Sequence, residues 1–81
     1  MPFMEQRTAL AAQLAQLEDL LRQAQGISRA LEERTQAAAD QTENFADDTA
    51  LAHVAAAAKR ARQDLGALIR AVGGARGQLQ Q

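Results

Sequence analysis

Starting at Leu10 and stepping alternately by four and three residues gives Leu10, Leu14, Leu17, Leu21, Ala24, Ser28, Leu31, Thr35 and Ala38. Such a stripe marks one side of a helix that packs against another helix. It extends back to Arg7 and Phe3 and forward to Thr42 and Phe45. Gly26 falls on the outward side, where it weakens the helix by about 1 kcal/mol without opening a hole in the stripe. The pattern predicts one helix over about residues 2–41.

The second half has its own stripe: Leu51, Val54, Ala58, Ala61, Leu65, Leu68 and Val72, followed less regularly by Ala75 and Leu79. Continuing the first stripe would instead place Thr49, Ala52, Ala56 and Lys59 inward, two residues out of phase. Neither an inserted four nor an inserted three repairs that offset, so an unbroken rod is disfavoured. A reversal within "ADQTENFADDTAL", residues 39–51, is predicted, with the turn at about 42–48. Asp47 and Asp48 there suit the amide-rich start of a second helix, and Asn44 suits the end of the first. Arg70 followed by Gly73 and Gly74 reads as a helix stop, which predicts a second helix over 49–73 and a frayed tail over 74–81. The whole chain, 1–81, is read as a single helical-hairpin domain.

Folding back sets Ala38 opposite Leu51, Thr35 opposite Val54, Leu31 opposite Ala58, Ser28 opposite Ala61, Ala24 opposite Leu65, Leu21 opposite Leu68, and Leu17 opposite Val72. Small residues meet large ones in three of these layers, which suits close packing. On the flank, Glu32 is placed to reach Arg62 and Glu18 to reach Arg76. The fold class predicted is therefore all-α, an antiparallel two-helix hairpin.

A second apolar stripe remains. Leu20 and Ile27 from the first helix and Ala57 and Ala71 from the second, with Ala30 and Ala67 adjoining, have nothing to cover them in one hairpin. Two hairpins packing into a four-helix bundle dimer would bury this partner interface; a helix of a different protein in the same groove is the alternative. Phe45 at the turn, like Phe3 and Met4 at the other end, serves either to plug an end of the bundle or to dock a partner.

Composition supports the helical reading. Alanine supplies most of the 47% hydrophobic content, only two aromatics occur, and Pro2 is the sole proline. Large core-filling side chains are scarce, and 81 residues bury only a modest share of their unfolded surface, so a partner adds stability. The net charge of −1 conceals an asymmetry. Met1 to Asp48 holds four basic and nine acidic residues, and Thr49 to Gln81 five basic residues and Asp64 alone.

Catalysis finds no foothold in one histidine, one serine, no cysteine and no tyrosine. His53 is predicted on the outer side of the second helix as a surface residue, and Ser28 is predicted to bond back to a carbonyl one turn earlier. No enzyme activity, cofactor or metal site is expected. The carboxylates Asp40, Glu43, Asp47 and Asp48 lack the ligand spacing and central glycine of a calcium loop. Lys59, Arg60 and Arg62 give the second helix a basic face able to touch phosphates, but no aromatic platform accompanies it. The start "MPFMEQ" has an acidic residue and no apolar run behind it, and "VAAAA" is too short for a bilayer, which predicts a cytoplasmic chain without membrane association.

In outline, an alanine-rich helical hairpin of this length resembles the WXG100/ESAT-6-like group, although "ENFADD" stands where that group has Trp-x-Gly and the chain has neither tryptophan nor tyrosine. The resemblance implies a hairpin that forms a heterodimer with a secreted or effector partner of type VII secretion. From the residues themselves, the expectation is a non-enzymatic, self-associating assembly module. A nucleic-acid binder working through Lys59, Arg60 and Arg62 is the reading from another class.

Overall fold

A computed structural model describes residues 2–41 and 49–80. Two helices account for every described residue except Gln41 and Gln80: α1, Pro2–Asp40, and α2, Thr49–Leu79. The sequence-based readings of Asn44, Phe45, Asp47 and Asp48 concern positions outside the described residues. Pro2 opens α1 at the position where a missing amide hydrogen costs nothing. The body of each helix is rich in alanine, leucine, glutamine, arginine and glutamate, which lose little side-chain freedom on coiling. Mid-helix hydroxyls turn back on their own backbone: Thr8 donates to Met4 O, Ser28 to Ala24 O at 3.0 Å and Thr35 to Leu31 O at 2.7 Å.

The helices pack side by side in opposite directions as a hairpin with Cα extents of 64 × 16 × 14 Å. Arg7 Nε donates to Leu79 O at 2.6 Å, joining the first turns of α1 to the last of α2. Midway, Gln25 Nε2 reaches Arg62 O at 3.4 Å and lies against Gly66. Ala24 and Leu65 therefore lie at the same height, which is the register expected from the two stripes.

The far end of α2 differs from the sequence reading. The helix continues through Gly73, Gly74 and Gly77 to Leu79, and no described glycine takes a positive φ. A glycine ends a helix when the left-handed turn it permits leads to something better. Here Val72, Arg76 and Leu79 are half-buried, and the Arg7 bond holds the last turn, so packing carries the helix across its weak positions.

The two helices also face each other differently. On α1 the half-buried or buried positions run Ala11, Leu14, Glu18, Leu21, Gln25, Ser28, Glu32, Thr35 and Ala39. On α2 they run Leu51, Ala55, Ala58, Arg62, Leu65, Ile69, Val72, Arg76 and Leu79. One column of each expected seam is kept: Leu14, Leu21, Ser28 and Thr35 on α1, and Leu51, Ala58, Leu65 and Val72 on α2. Each helix is turned by half a residue step, about 50°. Leu10, Leu17 and Leu31, with Val54 and Leu68, are consequently exposed rather than in the hairpin core, while Ala24, Ala38 and Ala61 are half-buried at its edge.

The reason is the width of the apolar arc. On α1 it spans three neighbouring columns, through Leu14 and Leu21, then Leu10, Leu17 and Leu31, then Leu20 and Ile27. One facing helix covers little more than a stripe about 100° wide. The hairpin takes one edge of the arc, the edge where Glu18 and Glu32 meet arginines, and leaves the rest in solvent. Only Ala58, Ile69, Glu18, Ser28 and Thr35 are buried among the described residues, three of them polar. The chain exposes 6162 Å², against about 4,700 Å² for a compact monomer of its mass.

Candidate interaction surface

One side of the seam is closed by charge. Glu18 has a side chain 8% exposed; its Oε1 accepts from Arg22 Nη2 at 2.9 Å on the same helix, and its Oε2 lies 3.2 Å from Arg76 Nη2 on α2. Two heptads further along α1, Glu32 Oε2 accepts from Arg62 Nε at 2.5 Å. Both interhelical pairs are those the antiparallel register predicts. Arg29, Glu32, Glu33, Gln36 and Arg62 line a shallow, open depression on this polar side.

Arg62 is thereby half-buried and engaged with Glu32, Arg60 pairs with Asp64 at 3.6 Å along its own helix, and Lys59 is exposed. The three residues read as phosphate contacts are thus not presented together as one open patch. His53 is exposed. Among the described residues no group of histidines and carboxylates is placed to hold a metal, and no helix is long and apolar enough to cross a membrane.

The opposite side is apolar. The helices are antiparallel and each is turned in the same sense, so the exposed column of α1 and that of α2 fall on one broad face. Leu10, Leu17, Leu20, Ile27 and Leu31 stand along α1, and Val54 and Leu68 along α2. Ile27 is 69% exposed and Leu68 50%. Large side chains grouped along one face differ from the single surface leucines that need no explanation.

Of the positions expected at a partner interface, Leu20, Ile27, Ala57 and Ala71 border this face, whereas Ala30 and Ala67 lie further round, away from the seam; all six are exposed. Phe45 lies outside the described residues.

Sequence reasoning passed over Ile69, Gln25 and Gly66. Among the described residues Ile69 is the largest buried apolar side chain, and it could have been found from its spacing of four from Leu65 and three from Val72. Gly66 lets Gln25 lie across α2: a Cβ there would stand 3.1 Å from Gln25 Nε2. No simple periodic signal marks that contact. No protein-family model, curated protein or solved structure matches the chain.

Proposed function

We propose that this protein is a non-enzymatic assembly module that works by protein–protein contact and self-associates through the apolar face of its hairpin. The observation that carries the reading is the segregation of the two sides. Glu18, Glu32, Arg62 and Arg76 close one side of the seam, while seven large apolar side chains stand exposed on the described helices flanking the other. Covering that face with a second hairpin turns a thin, partly polar seam into the centre of a four-helix bundle.

Light scattering after size exclusion tests this. The wild-type chain is expected at about twice its 8.7 kDa mass, falling toward the single-chain mass on dilution. The double substitution Leu20→Glu with Ile27→Glu should shift the species to the single-chain mass at concentrations where the wild type is associated. A wild-type chain that is fully helical and stays at single-chain mass up to high concentration refutes the proposal.

A further inference from the structure

The apolar arc of α1 is wider than the seam, so the observed packing has a close neighbour. Turning each helix back by half a residue step, about 50°, at unchanged height keeps Leu14, Leu21, Leu51 and Leu65 between the helices. Leu10, Leu17 and Leu31 then enter the seam from α1, and Val54 and Leu68 from α2. The column through Glu18, Gln25 and Glu32 leaves on α1, and the column through Arg62, Ile69 and Arg76 leaves on α2. Five large apolar side chains, now 39–51% exposed, are exchanged for Ile69, and the buried Glu18 returns to water.

Little opposes that turn. Among the described residues only Ala58 and Ile69 are buried apolar side chains, and Ala58 belongs to both seams. The bond from Gln25 Nε2 to Arg62 O, which the turn breaks, is long at 3.4 Å. The heights at which Glu18 meets Arg76 and Glu32 meets Arg62 do not change, and the flanks of paired helices are positions that hold such ion pairs.

Resting on the self-association reading above for what covers the apolar face, we infer that the hairpin has two packings and that association selects between them. With a second copy on the face, the rotation described here buries the leucines outside the seam and Ile69 within it. Without that cover, apolar burial favours the leucine seam, and the chain turns its leucines inward. The single chain thereby withdraws the surface through which it associates.

Two alanines of α2 report the turn. Ala55 shares the column of Ile69 and is half-buried, whereas Ala75 shares the column of Leu68 and is exposed; the turn reverses them. Alanine to cysteine is a small change, and the chain has no cysteine of its own. Ala55→Cys and Ala75→Cys are each combined with Leu20→Glu and Ile27→Glu, at positions outside both seams, and studied where light scattering gives single-chain mass. Modification by N-ethylmaleimide is expected to be several-fold faster at Ala55→Cys than at Ala75→Cys, with the helical circular dichroism retained. Faster modification at Ala75→Cys, equal rates at the two, or loss of the helices overturns the second packing, while a wild-type chain of dimer mass leaves self-association standing. Single-chain mass for the wild type at every concentration overturns self-association and the selection together.

Discussion

Replacing Gly73 and Gly74 together by alanine should stabilise the protein, and the sign of the effect discriminates between a helix that stops and one that continues. Both glycines are right-handed members of α2, and a Cβ added at either meets nothing within 4 Å. Alanine in a helix interior is better than glycine by about 0.5–1 kcal/mol, because glycine loses more backbone freedom on folding. The pair should contribute about 1–2 kcal/mol. For a chain of this size each kcal/mol raises Tm by about 4–8 °C.

Were either glycine a left-handed cap, the same change would cost roughly 1–2 kcal/mol and Tm would fall. Both positions lie away from the apolar face, so thermal unfolding followed by circular dichroism at one fixed chain concentration reads the helix rather than the association. Gly66→Ala is the internal control. Its Cβ would press on the Gln25 amide at 3.1 Å, displacing a long hydrogen bond to Arg62 O, so its gain should be smaller than that of either terminal glycine. An unchanged or lowered Tm for the double variant would refute the continuous helix.

Ala58 is 2% exposed where the helices meet, so Ala58→Leu should destabilise by about 1–3 kcal/mol through overpacking, whereas Ala56→Leu, at an exposed position, should change stability by less than about 0.5 kcal/mol; urea unfolding of the two compares them directly. A double-mutant cycle of Glu18→Ala and Arg76→Ala should give a coupling of about 0.5–1 kcal/mol that shrinks in high salt, since Arg76 is partly exposed although Glu18 is not. A coupling of zero at low salt would show that the pair only decorates the seam.

How far the sequence could be read depended on which residues spoke alone and which spoke through a neighbour. The start of both helices and the height at which Ala24 meets Leu65 followed from phase, because two leucine stripes offset by two residues admit few closures. Glu18 with Arg76 and Glu32 with Arg62 followed from the same register. The rotation did not follow. Leu10, Leu17 and Leu31 belong as well to the column beside Leu14 and Leu21 as to the column beside Leu20 and Ile27, and counting apolar positions cannot say which column one facing helix will take. The rotation observed is the one that brings Glu18 to Arg76 and Glu32 to Arg62 across the seam. Gly73 and Gly74 misled for a related reason: local propensity sees two helix breakers, while Arg7 at the other end of the chain holds Leu79 in place.

Alanines and leucines repeated every seven residues grip one another equally well after a slip of one heptad, about 10 Å along the rod. Glu18 and Glu32 forbid that freedom. Shifted by seven, Ile69 and Ala55 would take the places of Arg76 and Arg62, and both acids would lose their arginines. The two ion pairs therefore act as detents on a sliding contact: weak as glue, they set the length at which the hairpin locks.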